Sequence, residues 1–240
     1  MRDMNEPAHP SDARILWADR INRTYPGLSP LCSDPPIFRI ADFVTEDECD
    51  QLITRARGRL ARSPTVDHDR GVVGSVNEGR TSSTCFLNRD EAPWLLDKVS
   101  ALTNKPVTHM ETPQVCHYEA GAYYHAHHDA VDLQSSIGQL WVANGGQRLI
   151  TVLIYINDVP RGGKTLFNEL NLYSLPIKGT ALVFFPGFSS GDMDQRVLHE
   201  ADTAIDEKWV VQIWIRQKRW FQEKEAAQAK PVSSPEVMVY

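Results

Sequence analysis

The chain has 240 residues, 42% of them hydrophobic and 23% charged, and a formal net charge of -6. That length suffices for one large domain with a sizeable core. The acidic balance argues against nucleic acid as the main partner, and no block of like charges forms a basic arm or an acidic tail.

No apolar run approaches the roughly 18 residues of a membrane span, and the longest β-like run, "LITVLIYI" at 149–156, is strand-sized. No membrane partner is expected. The polar, acidic start "MRDMNEPAHPSDAR" lacks the pattern of a secretory signal, so a cytoplasmic protein is expected. Cys32, Cys49, Cys85 and Cys116 are scattered without a C-x-x-C, which favours reduced thiols over a zinc site.

Residues 1–34 are Pro-rich and weakly periodic, and read as an N-terminal extension closed by Pro35-Pro36. "IFRIADF" is a predicted strand. "TEDECDQLITRARGRL" is a predicted helix, with Thr45 and Glu48 in capping-box relation and Leu52, Ile53, Ala56 and Leu60 as its apolar stripe. Residues 64–80 read as a long loop, "TSSTCFL" as a strand and "APWLLDKVSALTN" as a second helix. From Pro113 on, "QVCHYEA", "LITVLIYIN", "KTLFNE", "GTALVFF" and "KWVVQIWI" are short strands between Gly, Pro, Asn and Asp. Helices followed by a run of strands predict an α+β layout with a sheet sandwich or barrel. The expected domain spans 35–222, with a mobile tail at 223–240.

The segment "YYHAHHDAV", 123–131, concentrates three histidines and an aspartate. On a strand, residues two apart share a face, so His127 and Asp129 point together and His128 points away. A metal needs a third donor, and His199 in "RVLHEAD" is the one later histidine. His127, Asp129 and His199 match the two-histidine, one-carboxylate facial triad of non-haem Fe(II) oxygenases. An H-x-D pair also recurs by chance, so a polar strand edge stays open on this pattern alone. Lys208 opens "KWVVQIWI", sharing a face with Val210, Gln212 and Trp214. A lysine turned into a barrel is costly unless it meets an anion, such as the far carboxylate of a metal-chelating dicarboxylate.

With these residues in place, the sequence resembles the prolyl 4-hydroxylase group of 2-oxoglutarate/Fe(II) dioxygenases. "YEAGAYYHAHHD" (118–129) resembles the group's Y-E-x-G-x-x-Y-x-x-H-x-D. "RLITVLIYINDVPRGGKTLF" (148–167), "PIKGTALVFF" (176–185) and "LHEADTAIDEKWVVQIWI" (198–215) follow its later motifs in order, and "RTSSTCFL" (80–87) resembles the strand after its mobile substrate loop. The resemblance covers about 36–220. It implies a double-stranded β-helix (jelly-roll, cupin-like) core with N-terminal supporting helices. It implies Fe(II) on His127, Asp129 and His199, 2-oxoglutarate on Lys208 with Tyr118 and Thr165 beside it, O2 as oxidant and ascorbate as an accessory reductant. Arg80 and Trp214 match positions near the substrate, and His125 is expected to face the substrate or support the ligands. The chain departs from the pattern at Asp206-Glu207, where a Gly usually precedes the Lys, and at Thr203-Ala204, where Pro-Val is usual.

The implied reaction is hydroxylation of an unactivated C–H bond with release of succinate and carbon dioxide. The first expectation for the substrate is a prolyl or similar residue in a peptide or protein. The alternative is a free amino acid or an amino-acid-derived small molecule, hydroxylated or cyclised in a closed pocket with Arg216 or Arg161 as anchor. The connector 130–148, with Trp141 and two adjacent glycines, is expected to border the active-site mouth. A barrel that only binds a ligand is the third reading. The sequence leaves the oligomeric state open.

Overall fold

The computed structural model describes residues 16–67 and 72–221, with backbone alone at 66, 67 and 72–75. In chain order it places β1 (Leu28–Ser33), β2 (Pro36–Ile40), α1 (Glu46–Arg57), β3 (Ala61–Arg62), β4 (Thr65–Asp67), β5 (Val72–Ser75), β6 (Ser83–Phe86), α2 (Pro93–Thr103), β7 (Gln114–Tyr118) and β8 (Tyr124–His127). There follow α3 (Ser136–Val142), β9 (Arg148–Tyr155), β10 (Thr165–Phe167), β11 (Leu172–Ser174), β12 (Ala181–Phe184), β13 (His199–Ala201) and β14 (Lys208–Arg216).

Local chemistry sets the helices. Glu48 N–H donates to Thr45 Oγ1 at 3.2 Å, and Thr45 N–H donates to Glu48 Oε2 at 2.7 Å, closing the capping box that starts α1. Its buried Cys49, Leu52 and Ala56 face the sheet, with Ile53 and Leu60 half-buried beside them. Pro93 opens α2, where its missing N–H costs nothing, and Asn104 ends it in the left-handed conformation at φ 53°.

The strands build two antiparallel sheets. The larger runs β1-β2-β12-β9-β14-β7-β6-β3, and the smaller β11-β10-β13-β8. The central strands β9 and β14 are buried along their whole length. Alternation divides their side chains between two cores. Ile150, Val152 and Ile154, with Trp209, Val211, Ile213 and Ile215, pack under the helices. Leu153, Tyr155 and Val210 turn inward, toward Phe167 and Val197 from the smaller-sheet side. The two sheets and their helical cover form the jelly-roll core that the strand pattern and the resemblance imply.

Three regions differ from the sequence expectation. Within the stretch read as an extension, β1 pairs with β2 on the large sheet, and Ala18 and Ile21 join the helix-side core. Trp17 Nε1 donates to Thr103 O at 2.8 Å, anchoring this segment on α2. Its weak periodicity reflects an edge strand whose burial is only partial. Within the expected loop 64–80, β4 and β5 form a hairpin, and the connector 130–148 holds α3. The expected tail at 223–240 lies outside the described residues.

Candidate active site

Strand register assembles the site. β8 and β13 pair antiparallel, and His199 lies directly opposite His127. His127 Nδ1 donates to the His125 carbonyl at 2.8 Å, and His199 Nδ1 donates to the Val197 carbonyl at 3.0 Å. A carbonyl oxygen only accepts, so these contacts place the proton of each neutral ring on Nδ1 and leave Nε2 as its ligand atom. Asp129 lies just past the end of β8, with His199 Nε2 3.7 Å from its Oδ2. The donor atoms of His127, Asp129 and His199 all lie within 4.8 Å of one another.

The surroundings suit a divalent ion. Asp129 is buried, and Thr151 Oγ1 on β9 donates to its Oδ2 at 2.7 Å. Burial works to raise its pKa, but His199, His127, Arg148 and the Thr151 hydroxyl outweigh it and hold the carboxyl below its ordinary value. Burial, reinforced by His199, pushes His127 down to about 3. A buried carboxylate beside two imidazoles oriented by their Nδ1 contacts is a fitting donor set for Fe(II).

His127 and His199 line a chamber whose walls also include Tyr118, Tyr124, Thr151, Thr165, Lys208 and Gln212. Lys208 stands opposite Tyr118 across the β14–β7 pair. It is 1% exposed, and its ammonium lies 5.1 Å from the Tyr118 ring and 5.8 Å from the Tyr155 ring, with no carboxylate in ion-pair contact among the described residues. Burial pushes its pKa down to about 7. Tyr155 Oη donates to Thr165 Oγ1 at 2.8 Å, which fixes the Thr165 hydroxyl on the chamber wall. The glycine pair 162–163 lets the turn before β10 close on this anchor. Both have positive φ, and a Cβ on Gly163 would stand 3.1 Å from Lys208 Cδ.

The departures from the motif have partners of their own. Asp206 forms a two-pronged pair with Arg161, and Glu207 accepts from His117 at 2.7 Å. Ala204 is fully buried and bridges to Gly162. Glu111 accepts from both Arg148 and Arg216 in a buried network, with the Trp141 ring over both guanidiniums. Neither Arg161 nor Arg216 is therefore a free cationic anchor for a small molecule.

The structure brings His127, Asp129, His199, Lys208, Tyr118 and Thr165 around one space. Trp214 lies next to it on β14, opposite Thr151 and 3.8 Å from the Arg148 guanidinium, so it is bound into the Glu111 network. Arg80 is buried outside the chamber lining. It donates to Ser82, Pro64 and Gln114 and stacks over Tyr124, which it supports from behind. His125 is exposed and stacked on Tyr123, and only its carbonyl serves the triad. Thr151, Glu111 and Gln212 received no role from sequence. Arg148 and Thr151 stand in the segment "RLITVLIYINDVPRGGKTLF" that carries the resemblance, which is the available signal.

A buried ammonium without an acid of its own among the described residues calls for an anion in the chamber. A dicarboxylate that also chelates a metal at its other end meets that demand and the triad's together, which defines an iron- and 2-oxoglutarate-dependent dioxygenase. Residues 113–216 match the 2OG-Fe(II) oxygenase superfamily. The chain is 34% identical over 212 residues to prolyl 4-hydroxylase 2 of Arabidopsis thaliana, covering 76% of this chain and 68% of that one. It is 30% identical over 237 residues to prolyl 4-hydroxylase 1 of the same plant, covering 91% and 80%. In fold it is similar to the viral collagen prolyl hydroxylase of Paramecium Bursaria Chlorella virus-1 in its 2OG complex, with a TM-score of 0.58, 24% identity, and 75% and 95% coverage. It is also similar to a Trichoplax adhaerens prolyl hydroxylase bound to a hypoxia inducible factor peptide, with a TM-score of 0.54, 22% identity, and 81% and 87% coverage. The chain belongs to the prolyl 4-hydroxylase-like family of 2-oxoglutarate/Fe(II) dioxygenases.

Proposed function

We propose that this enzyme hydroxylates a prolyl residue of a peptide or protein. The observation that carries the site assignment is the register that sets His127, Asp129 and His199 together, one chamber's length from a buried, unpaired Lys208. His127, Asp129 and His199 hold Fe(II). Lys208 holds the distal carboxylate of 2-oxoglutarate, with Tyr118 and Thr165 on the flanks. With oxygen, the iron and 2-oxoglutarate supply the oxidising power to break an unactivated C–H bond. The protein's part is geometric and electrostatic. The Nδ1 contacts aim the imidazoles, Thr151 turns the Asp129 carboxylate, and the apolar walls of Leu153, Phe184 and Val210 exclude water.

A peptide substrate is supported by the relatives at 30–34% identity, which are prolyl 4-hydroxylases, and by a fold neighbour bound to a peptide. A free cationic anchor would favour the small-molecule reading, and both candidates, Arg161 and Arg216, are paired within the fold. The test is succinate release from 2-oxoglutarate with Fe(II) and oxygen, comparing proline-containing peptides with free amino acids. Peptide stimulation that disappears in His127→Ala, and that needs far more 2-oxoglutarate in Lys208→Ala, is expected. Stimulation by small molecules alone would overturn the substrate assignment. Full activity in His127→Ala would overturn the iron site.

A further inference from the structure

Gln212 is the one polar side chain on the inner face of β14 between Lys208 and Trp214. It lines the chamber and is 8% exposed. Its amide makes no hydrogen bond among the described residues, and its Oε1 is fully enclosed. An enclosed amide oxygen without a partner has lost its hydration with nothing in return, a cost that an apolar side chain would not incur. In a buried strand whose other inward positions, Lys208 aside, are apolar or engaged, such a group points to a ligand.

Strand register says which part of the ligand. Four residues at about 3.3 Å each put Gln212 roughly 13 Å along β14 from Lys208, toward the metal donors. Its cross-strand partner is Leu153, and its diagonal neighbour on the same face is Thr151. Thr151 in turn holds Asp129. A dicarboxylate reaching from Lys208 to the triad therefore passes beside the Gln212 amide. A half-turn of that amide presents either its N–H2 or its carbonyl, so it can donate to an anionic or keto oxygen.

We propose that Gln212 is a positioning residue that donates a hydrogen bond to the keto-acid end of 2-oxoglutarate. The proposal deepens the function argued above and rests on it. Gln212 couples the co-substrate to β14 at a second point, so that Lys208 sets where the molecule sits and Gln212 sets how its metal-facing end is turned.

The test compares wild type with Gln212→Leu, which replaces the amide with a somewhat smaller apolar side chain. Two measurements are made: unfolding of the metal-free protein, and anaerobic titration of the Fe(II)-loaded protein with 2-oxoglutarate, followed by its visible charge-transfer absorption. The expected result is an unfolding midpoint equal to or above wild type, at least tenfold weaker 2-oxoglutarate binding and a displaced absorption maximum. Gln212→Glu, which sets carboxylate against carboxylate, should lose more. Gln212→Met carries the same comparison if the leucine variant fails to fold. Wild-type affinity with an unchanged spectrum in the leucine or methionine variant would overturn the Gln212 assignment while leaving the enzyme class intact. Failure of the wild-type protein itself to bind 2-oxoglutarate would overturn the underlying function as well.

Discussion

Lys208 is expensive for the fold, and its proposed role as the co-substrate anchor is what offsets that cost. Burial holds its amine down to about 7 from an ordinary 10.5. Between those values the unfolded chain binds a proton that the folded chain does not, so the folded state gains stability as pH rises from about 7 toward 10, by up to about 1.4 kcal/mol per pH unit. Below about pH 7 both forms are protonated and the folded state bears the whole penalty of a buried charge. Lys208→Met removes the penalty. The metal-free variant should be more stable than wild type at pH 6 in urea unfolding, and its advantage should shrink above pH 7 and vanish near pH 10. An advantage that does not change with pH would mean that the variant gains by packing alone. In the proposed function the carboxylate of 2-oxoglutarate would reverse the sign, because it would stabilise the charged amine.

Elements show how the anchor is held in place. The turn between β9 and β10 crosses Lys208 through Gly163, at φ 66° and where a Cβ would stand 3.1 Å from the lysine Cδ. Gly163→Ala adds both strain in a left-handed conformation and a push on the anchor. It should cost roughly 1–2 kcal/mol of stability and raise the Kd for 2-oxoglutarate, measured by calorimetry on the metal-loaded protein. An unaffected Kd would mean that the lysine relaxes away freely. The same scale explains what was legible in sequence. The α1 capping box, Pro93 at the start of α2 and the buried runs β9 and β14 announce themselves through short-range pattern. His127 and Asp129 are legible because they are two residues apart, and His199 because no other histidine follows them. β13 is three residues long, too short for alternation to show. The helix α3 was hidden in a Ser- and Gly-containing stretch that reads as loop. The Thr151–Asp129 contact and the Glu111 network join residues 22 to 105 positions apart, and only register makes them neighbours.

At the scale of the molecule, the site lies where the two sheets face each other, and its donors come from both. His127 and His199 stand on β8 and β13 of the smaller sheet, and Thr151, Lys208 and Gln212 on β9 and β14 of the larger one. A ligand that engages both sheets links them, so binding should stabilise the whole domain. With Mn(II) as an inert substitute for iron and 2-oxoglutarate at about 100 times its Kd, the gain should be about 2.7 kcal/mol, seen as a raised unfolding midpoint. His127→Ala should lose the metal-dependent part of that gain, and Lys208→Met the part that depends on 2-oxoglutarate. A full shift in both variants would place the ligands elsewhere. The central claim, that this chamber oxidises a peptide prolyl residue, is tested most directly by following the oxygen atom. A proline-containing peptide is incubated with the Fe(II)-loaded enzyme, 2-oxoglutarate and isotopically heavy oxygen gas, and then sequenced by mass spectrometry. One heavy oxygen atom on a proline, absent in His127→Ala, is the predicted result. Succinate formation with no oxygen on any peptide proline, across a broad set of proline-containing sequences, would contradict it.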